Sequence, residues 1–234
     1  MRTGVAVWAV SAIGLAAFAA DHAPVTSGPS GQTALQWIKY GNERHMAGKY
    51  VHWHQSVERR KEVAVAGQRP HTIIVSCSDS HVPPEILFDQ GLGDLYVVRG
   101  AGNIVGEREL ASIEYAAEHL GAPLIVVLGH QRCGAVAAAV KGGDMPGHLG
   151  LLMSGLAPAV ARAKGMQGDR TELAAHENVR LGVETIRASE PLLSHLVSSG
   201  KVHVAGAYYS LDSGEVRWLA PEATRSQASS VLSH

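Results

Sequence analysis

Four side chains with the chemistry of metal ligands stand in two short segments of this chain. Cys77 and Asp79 lie in the first segment, and His130 and Cys133 lie in the second. Two thiols, one imidazole and one carboxylate are the ligand types, and the number, that fill a tetrahedral zinc site. If only the thiols and the imidazole bind permanently, the fourth position is open for water or substrate, as in catalytic zinc sites. Asp79 would either close that position or accept a hydrogen bond from bound water.

Each of the two segments follows an apolar run that is typical of a buried strand. The runs, 72–75 and 124–128, are short, rich in β-branched residues and preceded by Pro70 and Pro123. A helical segment lies between them, so the two strands are expected to be parallel neighbours in one sheet. Both strands then end at the same carboxyl-end edge, where ligands bind in open α/β sheets. The sequence therefore predicts that the four side chains converge at this edge.

A single disulfide is the alternative explanation for the cysteines, because the chain has only two of them. A disulfide does not need polar residues at short spacing. Here Asp79 follows Cys77 by two residues, and His130 precedes Cys133 by three. Because each cysteine has such a companion, we favour the metal site.

Composition excludes several classes of partner. The chain has 234 residues, of which 46% are hydrophobic and 18% charged, an ordinary globular profile that is long enough for one well-buried domain. The net charge of −1 gives no reason to expect nucleic acid or a membrane surface as a partner. Aromatic residues make up 5% of the chain, so stacking platforms for nucleic-acid bases are not expected either.

The N-terminal residues 1–19 have the pattern of a secretory signal peptide. Arg2 precedes an apolar segment that is short for a membrane span and ends in small residues, so we expect cleavage after Ala19. The alternative is a membrane anchor that stays attached. We therefore expect an exported, periplasmic protein with no stable membrane span after the signal is removed. Residues 20–32 are rich in Pro, Gly and Ser and are predicted to be a linker.

Residues 33–220 are predicted to form a single α/β domain, in which helices flank a mostly parallel central β-sheet. The last two predicted strands, 202–209 and 216–219, are expected to form a hairpin at the edge of the sheet. The polar residues 221–234 are predicted to be a disordered tail.

An N-terminal helical arm is expected at the start of this domain. The helix begins at about Thr33, and Gly41, Asn42 and Gly48 are expected to interrupt it. The arm would pack either on a partner subunit or on its own domain, and the sequence does not decide between the two.

The two ligand-bearing segments resemble the signature segments of the β-class carbonic anhydrases. The first, 77–85, is CSDSHVPPE, and the second, 129–134, is GHQRCG. The resemblance covers nearly everything from about Ala34 to Leu219. It also includes four shorter matches, at 67–70, 98–103, 177–180 and 206–209.

The resemblance implies reversible hydration of carbon dioxide to bicarbonate and a proton, by zinc-hydroxide attack. It implies one zinc ion per chain, held by Cys77, His130 and Cys133, with Asp79 as an exchangeable fourth ligand that also orients the nucleophile. It further implies a homodimer, or dimers assembled further, with the active site near the subunit interface.

Three residues match substrate-binding positions of the family. Gln68 matches a glutamine that reaches the substrate pocket across the subunit interface. Tyr96 matches an aromatic position of the pocket. The amide of Gly134 lies where the family binds the substrate or an anion.

His81 departs from the family pattern, which has arginine after the CxDS motif. That arginine pairs with the aspartate and holds it off the metal. Arginine is always charged and can grip a carboxylate with two parallel hydrogen bonds, whereas histidine is charged only when protonated. One hypothesis is that His81 pairs with Asp79 less well, so that the open site is less populated. The other is that the substitution is tolerated and another group holds Asp79.

Two alternative functions remain open from the sequence. The same scaffold would also suit a hydrolase of carbonyl sulfide or carbon disulfide, and the shape of the pocket would decide this. The second alternative is a non-catalytic zinc-binding protein, which Asp79 keeps closed because His81 fails to open the site.

Overall fold

The computed structural model describes residues 28–220, which form a five-stranded sheet with helices on both faces. The predicted signal peptide, residues 20–27 of the predicted linker and the predicted tail lie outside the described residues. The strands are β1 Thr72–Ser76, β2 Leu95–Arg99, β3 Leu124–His130, β4 His203–Tyr209 and β5 Val216–Trp218. The helices are α1 Gly31–Ala47, α2 Val57–Ala66, α3 Pro84–Leu87, α4 Glu107–Glu118, α5 Gly134–Lys141, α6 Leu149–Arg162, α7 Arg170–Ala188 and α8 Leu192–Ser198. Within these residues, none of the helices combines the length and the apolar character that a membrane span requires.

The strand order β2-β1-β3-β4-β5 confirms the predicted mostly parallel sheet. The first four strands are parallel, and β5 pairs antiparallel with β4 as the predicted edge hairpin. Strands β1 and β3 are hydrogen-bonded neighbours, with Ser76 opposite Leu128. Their carboxyl ends therefore lie side by side, as the positions of the candidate ligands require.

Alternation along the strands divides the core between the two faces of the sheet. Ile73 and Val75 of β1 pack with Val127 and with side chains of α4, α7 and α8 on one face. Ile74 packs on the other face with side chains of α1 and α3. Burying a side chain of this size contributes roughly 1.5–3 kcal/mol. Because both faces are covered, the strands are apolar throughout, which explains their near-continuous hydrophobic sequence.

Helix α1 runs without a break through Gly41 and Asn42, so the predicted interruption there is wrong. A Cβ atom at Gly41 would lie 1.7 Å from the carbonyl oxygen of Phe88, so glycine permits a close contact between α1 and the end of α3. Asn42 is buried and donates to the carbonyl oxygens of Leu87 and Gly214 at 3.3 and 2.9 Å. Both residues therefore serve tertiary contacts. The helix ends where predicted, with Gly48 in a left-handed conformation at φ 62°.

Helix α1 packs on its own domain through Ala34 and Ile38, which are fully buried. Its other side exposes two large aromatic side chains, Trp37 at 44% and Tyr40 at 50%. Helix α2 buries none of its residues. The arm thus contacts its own domain along one face and leaves large aromatic side chains half-exposed on another.

Asp89 ties the segment after α1 to the domain. Its carboxylate is fully buried and accepts hydrogen bonds from Arg44 Nε at 2.5 Å and from the amides of Val51 and His52 at 3.0 and 3.1 Å. Burial alone would raise the pKa of Asp89, but the hydrogen bonds from Val51 and Arg44 outweigh it and hold this pKa below its ordinary value. The charged form is therefore the one that stabilises the fold.

We expect Asp89→Ala to lower the free energy of unfolding by about 3 kcal/mol, because it leaves a mostly buried guanidinium and two amides without their acceptor. Since the folded pKa is the lower one, this stabilisation is complete above the unfolded pKa of about 4 and is lost as the pH falls through the folded pKa. Urea denaturation at several pH values measures both effects. Asp144→Ala, in an exposed loop, is the control; an equal effect of the two substitutions at neutral pH would contradict the prediction.

Candidate metal centre

The four predicted ligands converge at the carboxyl ends of β1 and β3. One ligand atom from each of Cys77, Asp79, His130 and Cys133 lies within 4.8 Å of all the others. The two sulfur atoms are 3.9 Å apart, which is well beyond the roughly 2.05 Å of a disulfide bond. Asp79 Oδ2 lies 3.4 Å from His130 Nε2. The cluster is therefore of a size and composition that would hold a metal ion.

His130 is held in the tautomer that a metal ligand needs. Its Nδ1 lies 3.0 Å from the carbonyl oxygen of Gln131, which can only accept, so the proton is on Nδ1. In the neutral imidazole, which is the form that binds a metal, the other nitrogen, Nε2, is then an acceptor that faces the cluster. It is buried and has no hydrogen-bond partner among the described residues. A buried acceptor of this kind fits a metal ion as its missing partner.

The pKa values of the two thiols are shifted in opposite directions, so that Cys77 is the thiol that ionises first. A hydrogen bond from the Cys133 thiol, with a further contribution from the amide of Gly102, lowers the pKa of Cys77 to about 3. The neighbouring Cys77 and burial raise the pKa of Cys133. Burial alone would lower the pKa of His130, but the Cys77 thiolate outweighs it and raises that pKa. Thiolate is the form that binds zinc, so Cys77 is ready to bind at neutral pH.

Arg99, at the end of β2, fixes the loop that carries Cys77 and Asp79. Its Nε donates to the carbonyl oxygen of Cys77 at 2.9 Å, and its Nη2 donates to those of Asp79 and Val82 at 2.7 and 3.2 Å. The amide of Gly102, which has a φ of 72°, donates to Cys77 Sγ at 3.3 Å. Sequence reasoning missed this use of Arg99. The available signals were its position at the end of a predicted strand and its place in the match at 98–103.

The turn between His130 and Cys133 is held from two sides. The amide of Arg132 donates to Glu172 Oε1 at 2.9 Å, and the hydroxyl of Tyr208 donates to the other oxygen of the same carboxylate. Burial, with a further contribution from Glu172, raises the pKa of Tyr208, so its hydroxyl remains a donor. On the solvent side, the guanidinium of Arg132 pairs with Asp212 at 2.7 Å. Neither Glu172 nor Asp212 was predicted, because both are distant in the sequence from the ligands.

His81 lies beside Asp79 without a hydrogen bond to it. The distance from His81 Nε2 to Asp79 Oδ2 is 3.8 Å, and the ring centroid of His81 is 5.4 Å from that of His130. Asp79 is 36% exposed, so it faces both the cluster and the solvent. In this geometry the carboxylate is closer to the metal ligands than to the side chain that replaces the family arginine.

The three predicted substrate-binding residues lie in different surroundings. Gly134 is the first residue of α5, next to Cys133, and the space at its Cβ position is open, so its first-turn amide is available to a ligand. Tyr96 lies in β2 with its ring 6.3 Å from that of Tyr115. Gln68 is exposed in the loop before β1, where its side chain makes no hydrogen bond within residues 28–220. The roles of these three residues stay predictions.

Known proteins match this chain over most of its length. Residues 72–216 match a family model described as carbonic anhydrase. Carbonic anhydrase 2 of Mycobacterium tuberculosis (strain ATCC 25618 / H37Rv) is 40% identical over 192 residues, which cover 80% of this chain and 92% of that protein. A carbonic anhydrase of Mycolicibacterium smegmatis is 36% identical over 194 residues, which cover 80% of this chain and 94% of that protein.

Solved structures agree with the sequence relatives. A tetrameric β-carbonic anhydrase of Sordaria macrospora matches with a TM-score of 0.64 and 25% identity, over 81% of this chain and 94% of that one. The Coccomyxa β-carbonic anhydrase, solved in complex with acetazolamide, matches with a TM-score of 0.61 and 28% identity, over 68% of this chain and 75% of that one. The chain belongs to the β-class carbonic anhydrase family. The resemblance found in its motifs is thereby confirmed, as is the prediction that it is an enzyme.

Proposed function

We propose that this enzyme hydrates carbon dioxide reversibly at one zinc ion per chain, which Cys77, His130 and Cys133 hold. Family membership supports the reaction, and the unpartnered Nε2 of His130 within the Cys-Asp-His-Cys cluster carries the proposal of the metal. Two thiolates and an imidazole form the soft donor set that favours zinc over magnesium or calcium. Zinc bound here would supply hydroxide at neutral pH, because it lowers the pKa of a bound water molecule to about 7.

The residues around the cluster would position the reactants. Asp79 would be the exchangeable ligand, because it reaches the cluster but is partly exposed. Its carboxylate could turn away from the metal and accept a hydrogen bond from the O–H of a water molecule or hydroxide. The first-turn amide of Gly134 would donate to an oxygen of carbon dioxide or bicarbonate. Gln68, supplied by a partner subunit, would contact the other oxygen. Tyr96 would line the pocket.

Activity is the decisive test of this proposal. Stopped-flow hydration of carbon dioxide should be measured on purified protein from about pH 6 to about pH 9, with the zinc content determined on the same sample. We expect about one zinc per chain and activity that disappears on chelation and returns with added zinc. Zinc bound without activity at any pH would refute the catalytic proposal. Active protein that contains no metal would refute the zinc centre.

His81→Arg is expected to raise activity at neutral pH, by up to about tenfold. An arginine would give Asp79 the charge-assisted hydrogen bonds that a histidine 3.8 Å away does not make, and so would hold the carboxylate off the metal. Activity as a function of pH, compared between the two proteins, measures this effect. His148→Arg, an exposed position at the start of α6, controls for the added charge. An unchanged pH profile in His81→Arg would show that another group controls Asp79.

The comparisons give no support to the two alternative functions. The curated relatives described above are named as carbonic anhydrases, and none carries the name of a carbonyl sulfide or carbon disulfide hydrolase. A non-catalytic protein closed by Asp79 would bind zinc without hydrating carbon dioxide, which the activity test separates from the main proposal.

We further propose a homodimer, or dimers assembled further, as the working form. The exposed Trp37 and Tyr40 of α1, and the absence of buried residues in α2, support an arm that packs on a second copy. A related enzyme from Sordaria macrospora is described as tetrameric.

Export to the periplasm remains a proposal that rests on the pattern of residues 1–19. Fractionation of cells that produce the whole chain, with N-terminal sequencing of the product, tests both the export and the cleavage after Ala19.

A further inference from the structure

The backbone between two of the candidate ligands adopts a conformation that needs support. Arg132 stands between His130 and Cys133, and its φ is 55°, in the left-handed region that residues other than glycine seldom occupy. The direction of the chain at this residue decides whether the Cys133 sulfur and His130 Nε2 point to the same place. A small rotation at Arg132 would separate them. The groups that hold this residue therefore affect the geometry of the whole cluster.

Glu172 holds Arg132 from the protein side. It lies in the first turn of α7, whose start is fixed by the side chain of Asp169, which accepts from the amides of Thr171 and Glu172 at 2.8 and 3.0 Å. One carboxylate oxygen of Glu172 accepts the Arg132 amide at 2.9 Å, and the other accepts the hydroxyl of Tyr208. One side chain therefore connects the ligand turn to α7 and β4.

The Tyr208 end of this connection is rigid. The side chain is 6% exposed, and its ring stacks on that of His176, with centroids 3.9 Å apart and planes inclined by 22°. It belongs to the same apolar cluster as Cys77 and Cys133. A buried, stacked phenol has little freedom to turn, so its hydroxyl fixes the position of the Glu172 carboxylate.

Asp212 holds Arg132 from the solvent side but is a weaker support. It pairs with the guanidinium of Arg132, and the two side chains are 62% and 57% exposed. Exposed ion pairs of this kind contribute little and are screened by salt. The guanidinium can also rotate without moving the backbone, whereas the contact of Glu172 is made to the amide itself.

We propose that Glu172 is a positioning residue of the metal centre, which fixes the turn at Arg132 so that His130 and Cys133 converge on the metal. Its carboxylate bonds to the Arg132 amide and the Tyr208 hydroxyl, and to neither ligand side chain. The inference rests on the proposed zinc centre and adds that zinc affinity depends on α7. Groups that orient metal ligands in this way typically affect metal affinity by about 10–100-fold.

Zinc affinity, measured by competition with a chromophoric chelator, tests the proposal. We expect Glu172→Ala to bind zinc at least about tenfold more weakly than the wild type. Glu172→Gln should recover most of the affinity, because its amide oxygen still accepts the Arg132 amide. Glu184→Ala removes a carboxylate of the same helix whose side chain is 45% exposed, and it should bind zinc as the wild type does. Thermal unfolding of the metal-free proteins shows whether a variant is folded.

Equal zinc affinity in Glu172→Ala and the wild type would overturn the inference and leave the zinc enzyme intact. A wild type that binds no zinc would instead overturn the proposed function. If Glu172→Ala does not fold, Tyr208→Phe takes its place, since it removes only the hydroxyl that orients the carboxylate. We expect this variant to lose affinity in the same direction but by less. Unchanged affinity in Tyr208→Phe, or an equal loss in Glu184→Ala, would also overturn the inference.

Discussion

Cys77→Ser is expected to remove the bound zinc and to lower the hydration rate below about one thousandth of the wild-type rate. A serine hydroxyl stays protonated at neutral pH, whereas the pKa of Cys77 is about 3 and its thiolate is ready to bind. The substitution removes a charged ligand. Without the metal, the lowering of the pKa of a bound water molecule by about nine units is lost as well. Zinc content and stopped-flow rates on the same sample measure both effects.

Ser78→Ala is the matched control for Cys77→Ser. Ser78 is exposed and stands next to the ligand, and its only described hydrogen bond is made by its backbone amide to the carbonyl oxygen of Gly100. We expect it to keep its zinc and most of its activity. Wild-type activity in Cys77→Ser would show that this thiol is not a required ligand, whereas a loss in Ser78→Ala would attribute the effect to the loop in general.

Gly41→Ala is expected to destabilise the domain by about 3 kcal/mol, at the upper end of the range for overpacked sites. The added Cβ atom would lie 1.7 Å from the carbonyl oxygen of Phe88 and 2.5 Å from its carbonyl carbon. Both are backbone atoms, so no side chain can turn away and α1 must move off the end of α3. That movement would also strain the hydrogen bonds of the neighbouring Asn42 to Leu87 and Gly214. Chemical denaturation measures the loss.

Gly150→Ala is the matched control, because it adds the same methyl group where no clash follows. Gly150 lies in the first turn of α6, and nothing is found within 4 Å of its Cβ position. Alanine has the higher helix propensity, so Gly150→Ala should be neutral or slightly stabilising. If Gly41→Ala is as stable as Gly150→Ala, then α1 and α3 can separate at no cost, and the close contact does not determine the position of the arm.

The convergence of the four candidate ligands was predictable, because they follow strands whose adjacency the sequence indicates. Cys77 and Cys133 come just after buried apolar runs, and parallel pairing brings the ends of adjacent strands together. The edge hairpin was predictable for a similar reason, since its turn residues are local. In each case the signal lies within a few residues of the structure that it predicts.

The parts that were not predicted depend on contacts between distant residues. Gly41 reads locally as a helix breaker, but its role is to admit the backbone of Phe88, which is 47 positions away. Arg99 donates hydrogen bonds to backbone carbonyl oxygens of the loop. Every residue has such an oxygen, so the sequence of the loop does not indicate the contact. Glu172 binds an amide 40 positions away and reads locally as an ordinary charge in the first turn of a helix. Such partners become visible only when the chain is folded.

Helix α2 has ten residues and buries none of them in the described part of the chain. Isolated helices of this length are marginal in water, because the cost of nucleation is not recovered over so few turns. The contacts it does have include a hydrogen bond from Arg59 to the carbonyl oxygen of Leu92. If a second copy of the chain packs on α2, the helical state of α2 would therefore depend on protein concentration. Gln68, which is predicted to reach the pocket of the partner, follows this helix by two positions. Dilution would therefore loosen Gln68 and leave the four candidate metal ligands in place.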